Sequence, residues 1–373
     1  MKKVSIWGFF GYRNCGDDLL LLNVINEMQG WIDKEKHITV FGNKDNLRHL
    51  LPGQNIHIKP RTASQLLKAT FSSDVLMIGP GGLFPSANTA KLLFYLLITV
   101  VMKLRGKRAG YIGVGVGTGM FQSGINRFLI NSITRFSDVF VSRSENYLCF
   151  QPKIKTERIT LASDMIFSDP AILSDTPRCD SRLVVVAPAN IFDGNSDEYR
   201  ERFVREFAAF QKHITDRGYK IKMISFTNEK DRDLNERIAA ETGSPNVTVA
   251  PFYEMPYDTL AQLKEAYICV GMRFHAIVMA LSYGIPCLSV SYSDKNEDVM
   301  SRFGLDAYSA RFGISDREYF NQEIMISSRK LIEMFDALVS HYSEIGNCII
   351  NRKKEMVELS LVNRKTLKEL LTD

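Results

Sequence analysis

The sequence predicts an α/β protein of two consecutive doubly wound domains that face a cleft. Three observations lead there. The chain has 373 residues, too many for one core at a prior of roughly 150 residues per domain. Short β-branched runs alternate with helical patterns, as βαβ units and parallel sheets require. The alternation breaks once, at "SDPAILSDTPRCDS" (168–181), where two prolines and three acidic residues without periodicity read as an interdomain linker.

The first domain, residues 1–170, opens with "KVSIWG" as a strand and "DDLLLLNVINEMQGWI" as a helix. "HITVFG", "DVLMIG", "RAGYIGVGVG" and "DVFVSRS" are its further strands, separated by the helical stretches "SQLLKATF", "AKLLFYLLITVVMKL" and "INRFLINSITRF". In the second domain, residues 171–345, "RLVVVAPA", "YKIKMISF", "NVTVAPF", "YICVG" and "IPCLSVSYS" are strands, and "EYRERFVREFAAFQKHITDRG", "DRDLNERIAAETG", "TLAQLKEA" and "MRFHAIVMALSYG" supply the helices. Residues 346–373 form a charged amphipathic helix whose apolar positions suit either domain.

Composition narrows the class. Hydrophobic residues at 45% and charged residues at 24% fit a folded, soluble protein and exclude extended disorder. A net charge of +5, read as spread along the chain, favours anionic small molecules or a membrane surface only weakly and does not indicate nucleic acid. Six cysteines, at 15, 149, 179, 269, 287 and 348, show no CxxC spacing and read as reduced, buried thiols of a cytoplasmic protein. The N-terminal apolar run is too short for a signal peptide. The most apolar stretch, Leu92 to Met102, falls short of the roughly 20 residues of a membrane span and reads as a buried helix.

Ligands of open α/β sheets bind beyond the carboxyl ends of the strands, so the loops there hold the candidates. "GFFGYRNCGDD" offers Gly8, Gly11 and Gly16, with Asp17 as helix cap, but lacks GxGxxG spacing. "GPGGLF" offers Gly81 and Gly82 at a turn, and "GVGVGTG" offers Gly113, Gly115, Gly117 and Gly119. Glycines there allow close backbone approach, to a ligand or only to another strand. "SRSE" has capping-box spacing from Ser142 to Glu145, which places Arg143 at the first position of a helix. "GMRFHAIVMALSYG" likewise places Arg273 and His275 where a buried helix begins. A helix N-terminus already carries roughly half a positive charge, so cations there call for an anion. Lys295, after the last strand, is a further phosphate contact or a solvated charge. Asp231 and Asp233 have the DxD spacing of some metal–diphosphate sites, but Asn228 as cap and ordinary first-turn acids explain them without an ion, and no metal is expected. GxSxG, HExxH and P-loop sequences are absent.

The loop "GYRNCGDD", the "GPGGLF" turn, "GVGVG", "SRSE", "ASD" (162–164) and "VGMRFHAIVMALSYGIPCLSVSY" followed by Lys295 resemble the polysaccharide pyruvyl transferase family over residues 4–300. The loop departs from the family's Gly-Asn-x-Gly-Asp in having Arg13 for the first glycine. The resemblance implies a GT-B-like pair of Rossmann-like domains, with the acceptor on the first and phosphoenolpyruvate on the second. It implies transfer of pyruvate to two hydroxyls of a sugar as a cyclic ketal, with no cofactor besides the donor substrate. It further implies that Arg143, Arg273 and His275 hold phosphoenolpyruvate, beside the Phe274 backbone. Asn14, Gly16, Asp17, Gly81, Gly82, Asp164 and Lys295 then complete the substrate site.

Protonation at C3 makes C2 of phosphoenolpyruvate electrophilic, and His275 is the candidate acid, because a neighbouring phosphate favours imidazolium. Asp17 and Asp164 are alternative bases. A lipid-linked acceptor would add peripheral contact of "KLRGKR" (103–108) with the cytoplasmic face of the inner membrane; the plainer alternative is a solvated basic turn. Two other functions stay open: a GT-B glycosyltransferase with a nucleotide-sugar donor, and a non-catalytic sugar- or nucleotide-binding protein.

Overall fold

The structure, a computed structural model, describes residues 2–29, 37–53, 55–84, 88–150, 155–174, 182–192, 197–312 and 326–372. The chain divides into two compact units, Met1–Asp169 with Met356–Asp373, and Pro170–Glu355. The linker read over 168–181 is structured in its first half, and its residues 175–181 lie outside the described ones.

In the first unit the strands are β1 (Lys3–Phe10), β2 (His37–Gly42), β3 (Ile56–Pro60), β4 (Val75–Ile78), β5 (Gly81–Phe84), β6 (Arg108–Val116), β7 (Val139–Ser142) and β8 (Thr160–Leu161). Its helices are α1 (Cys15–Gln29), α2 (Lys44–Leu50), α3 (Ala63–Ser72), α4 (Thr89–Leu104) and α5 (Gly124–Phe136). All described pairings are parallel, in the order β3-β2-β1-β4-β6-β7-β8, with β5 beside β6. Helices on both faces bury such strands twice over. Accordingly β4 is buried throughout and β6 at all positions but Arg108. Gly81 and Gly82 of "GPGGLF" are strand residues rather than a turn, since Gly81 opens β5 and pairs with Val114.

One face of this sheet is covered by α3, α4 and α5, whose inward residues Leu66, Tyr95, Ile98 and Ile130 pack on Leu76, Tyr111 and Phe140. Asn88 caps α4 by accepting from Lys91 N–H at 2.9 Å. The helix is not buried all round, as its sequence suggested. Its outward residues Leu93 and Leu97 are 58% and 52% exposed.

The second unit contains α6 (Pro170–Leu173), β9 (Leu183–Ala187), α7 (Asp197–Asp216), β10 (Lys220–Met223), α8 (Asn228–Thr242), β11 (Val247–Val249) and α9 (Pro256–Leu263). It continues with β12 (Ile268–Gly271), α10 (Phe274–Tyr283), β13 (Cys287–Ser291), α11 (Asp294–Arg302), β14 (Ser309–Arg311) and α12 (Ser328–Ser340). The sheet runs β11-β10-β9-β12-β13-β14, again parallel. In both sheets the order reverses beside the first strand of the unit, the crevice in which doubly wound folds bind ligands. Cys269 and Cys287 face each other across β12 and β13, both buried and free, and burial pushes the Cys287 thiol up. Cys15 is buried and Cys348 only half-buried, whereas Cys179 and the Cys149 side chain lie outside the described structure.

The last helix, α13 (Tyr342–Thr372), starts earlier than the expected 346 and belongs to both units in turn. Its beginning stacks Tyr342 on Tyr267 at 4.0 Å in the second unit. Its end returns to the first, where Arg108 Nη1 donates to Glu369 O at 2.7 Å.

Candidate functional site

In the first unit the loop after β1 turns sharply at Arg13, which has a φ of +55°. That region favours glycine, so the glycine of the family pattern stands where the backbone asks for one. The turn delivers Asn14, whose carbonyl accepts from Asp18 N–H at 3.0 Å, and α1 follows at once. Gly16, Asp17 and Asp18 thus lie in the first turn of α1, where the helix dipole favours acids. Asp18 Oδ1 accepts from Gly11 N–H at 2.6 Å.

Burial raises the Asp18 carboxyl from the usual 3.8 to about 7, against the lowering bond from Gly11, and the Asp17 charge adds to the rise. Between those two pH values the folded protein holds a proton that the unfolded chain has released. Stability should therefore fall as pH climbs through the window, by roughly 4 kcal/mol in total. Asp18→Asn keeps an oxygen for Gly11 N–H and should remove most of this slope. Melting temperatures of both proteins from pH 4 to 8 check it; parallel profiles would refute the assignment.

Gly81 sits against Asp17: its φ is +121°, and a Cβ there would stand 2.9 Å from Asp17 Oδ1. Gly115, on β6, meets the next side chain along, since its Cβ would lie 3.2 Å from Arg143 Nε and 3.6 Å from Gly82 Cα. Arg143 follows β7 directly. The capping box expected from Ser142 does not form, because Ser142 is still a strand residue and its hydroxyl donates to Ser144 O at 2.9 Å. The next helical turn, a 3-10 turn, begins only at Asn146.

Arg143 is buried, and its Nη1 stands 2.5 Å from Asp164 Oδ2. Asp164 caps the 3-10 turn Met165–Ser168 through Ile166 N–H at 3.1 Å. The neighbouring Ser163 is fixed by α13: its hydroxyl donates to Met356 O at 2.5 Å and its carbonyl accepts from Asn363 Nδ2 at 2.9 Å. Contacts thus link Asp17 to Gly81 and join Gly82, Gly115, Arg143 and Asp164 at the carboxyl ends of the first sheet.

In the second unit Arg273 occupies the N-cap of α10, with a φ of −68° and ψ of 128°, and its own side chain does not cap the helix. The anion facing it is Asp231. Arg273 Nε donates to Oδ2 at 2.9 Å and Nη2 to Oδ1 at 2.5 Å, a two-point pair. Asp231 is fully buried on α8 and also accepts backbone N–H groups of Asn190 at 2.9 Å and Thr227 at 3.0 Å. Burial works against the Arg273 charge, but Tyr292 and Asp231 outweigh it and hold its pKa above the ordinary value.

The pair "DRD" is therefore split. Asp231 points into the unit and Asp233 is exposed, so the two carboxylates do not converge on one ion. Thr227, not Asn228, is at the cap position of α8. Among the described residues no group of three His, Cys, Asp or Glu side chains is placed to hold a metal.

His275 lies in the first turn of α10, buried, its ring edge-on to Phe274 at 5.1 Å between centroids. Lys295 is half-buried in the first turn of α11. That turn is tied to the Arg273 loop, because Asn296 Nδ2 donates to Met272 O at 2.7 Å. Sequence reasoning singled out Arg143, Asp164, Arg273 and Asp231 without seeing that they form two ion pairs. It missed Tyr292 and Asn296 altogether, which carry no spacing signal.

A family model described as polysaccharide pyruvyl transferase matches residues 14–294, a span that holds every candidate residue but Lys295. Solved structures agree on the architecture. A UDP-GlcNAc 2-epimerase from Neisseria meningitidis, bound to UDP-GlcNAc, is 13% identical with a TM-score of 0.59, covering 99% of this chain and 100% of that one. A glycosyltransferase from Rickettsia africae ESF-5 is 12% identical with a TM-score of 0.58, covering 100% and 99%. Anabaena Alr3699/HepE, in complex with UDP, is 12% identical with a TM-score of 0.56, covering both chains completely. At these identities the likeness establishes the fold, which is GT-B.

Proposed function

The chain belongs to the polysaccharide pyruvyl transferase family, and from that premise we propose that it transfers pyruvate from phosphoenolpyruvate to two hydroxyls of a sugar. The observation that carries the reading is the start of α10. There Arg273 is locked by both oxygens of buried Asp231 beside the buried His275. A guanidinium has five N–H donors, and those engaged by Asp231 and Tyr292 orient the rest. Because the Arg273–Asp231 pair is close to neutral, the pull on an anion comes from the helix dipole and from the guanidinium donors not spent on Asp231.

In this reading His275 protonates C3 of the donor while the phosphate rests on the α10 N-terminus with Lys295 near the end of the loop. A sugar hydroxyl adds to C2, phosphate departs, and a second hydroxyl closes the ketal, each hydroxyl giving up its proton. The products are the ketal and inorganic phosphate. In this reading Asp17, against which Gly81 packs, serves as the base, since Asp164 is committed to Arg143. Arg143 then acts as a buried positioning charge rather than an open clamp. No metal or cofactor enters this scheme.

Thermal shift with phosphoenolpyruvate, set against UDP-sugars, tests the donor. Stabilisation by phosphoenolpyruvate alone, with phosphate release once a suitable hexoside acceptor is added, is the expected result. Stabilisation by a UDP-sugar alone would replace it with a glycosyltransferase reading, and binding with no turnover on any acceptor with a binding protein.

A further inference from the structure

We propose that the outer face of the α3, α4 and α5 layer seats this protein on an anionic lipid leaflet. The face is apolar where a water-facing surface is normally polar. Phe71 on α3, Leu93, Leu97 and Leu104 on α4, and Ile125 and Phe128 on α5 all point outward, with Leu104 81% and Phe128 67% exposed. On α4 they recur at 93, 97 and 104 while 92, 95, 98 and 102 face the core, so the helix carries two apolar stripes. An exposed patch spread over three adjoining helices marks an interaction surface.

Its charge is as one-sided as its polarity. The three helices contain no Asp or Glu. Between Asp45 and Asp138 the sole acidic residue is Asp74, against eleven Lys and Arg. Exposed Lys68, Lys103 and Arg135 border the apolar residues, the arrangement by which an amphipathic surface lies in the headgroup region. A second copy of this chain is the poorer occupant, because a two-fold dimer would set this basic face against itself.

Within "KLRGKR" three of the four cations have close partners in the protein. Lys107 is paired with Asp74 at 2.6 Å, Arg105 donates to Thr70 O at 2.5 Å and Arg108 to Glu369 O. Only Lys103, loosely paired with Asp138 at 3.4 Å, stays largely in solvent. No described helix is long and apolar enough to cross a membrane, so the contact is one of lying on the surface. The proposal is independent of the donor chemistry.

Flotation with phosphatidylglycerol vesicles tests it, with phosphatidylcholine vesicles as the uncharged control. The wild-type chain should float with the former at low salt and stay behind with the latter. Joint Leu93→Gln, Leu97→Gln and Phe128→Gln should lower vesicle partition at least about tenfold. Joint Lys68→Gln, Lys103→Gln and Arg135→Gln should lower it about a hundredfold. Both variants change exposed side chains and should melt close to wild type. A wild type that does not float, or an apolar variant that floats as well as wild type, overturns the proposal. So does a dimer in light scattering that the apolar variant abolishes while vesicle binding is lacking, which would make the face a contact between copies.

Discussion

His275→Gln should lower turnover by roughly two to four orders of magnitude while phosphoenolpyruvate binds nearly as before. Glutamine keeps a hydrogen-bond donor of similar reach but has no proton to release at C3. If His275 only grips phosphate, the loss appears in donor affinity instead. Calorimetric titration of phosphoenolpyruvate together with timed phosphate release separates the two. Arg273→Lys is the companion variant: it keeps a charge but loses the two-point hold on Asp231, so it should weaken donor binding whichever role His275 has. Normal turnover in the glutamine variant ends the acid assignment.

Asp231→Ala should cost about 3–5 kcal/mol of stability, because it strands a guanidinium and two backbone N–H groups that share one buried carboxylate. In a unit of this size that corresponds to a fall of roughly 10 °C in its melting temperature. Asp233→Ala, two residues on and exposed, should stay within about 0.5 kcal/mol of wild type. Differential scanning calorimetry of the two variants decides the matter. Equal losses, or a dependence of both on divalent cations, would restore the metal-binding reading of the pair.

Much of the fold was legible because parallel strands covered on both faces must be apolar along their length, as "VLMI" and "LVVVA" are. Legibility failed where that condition failed. β3 lies at the sheet edge with no buried residue, and it is missing from the strands read in the sequence. β5 hides behind its own glycines. At the site, the loops after the strands announced themselves through glycine and misplaced charge. The pairing of those charges did not, since Arg273 and Asp231 are 42 residues apart and only the sheet brings them to one crevice. The +5 net charge misled as well, because a total conceals that the acids are nearly all outside residues 46–137.

The last helix also dictates an order of assembly. The loop bearing Asp164 rests on Met356 and Asn363, and Ser168 shares a hydrogen bond of 2.7 Å with Ser360. These partners leave the ribosome only after all of residues 170–355. The second unit can thus be complete while the first is still waiting for its final buttress, the reverse of the usual N-terminal-first sequence. During synthesis Arg143 and Asp164 are held by an unfinished scaffold, and the nascent chain gains its first ion-paired site last.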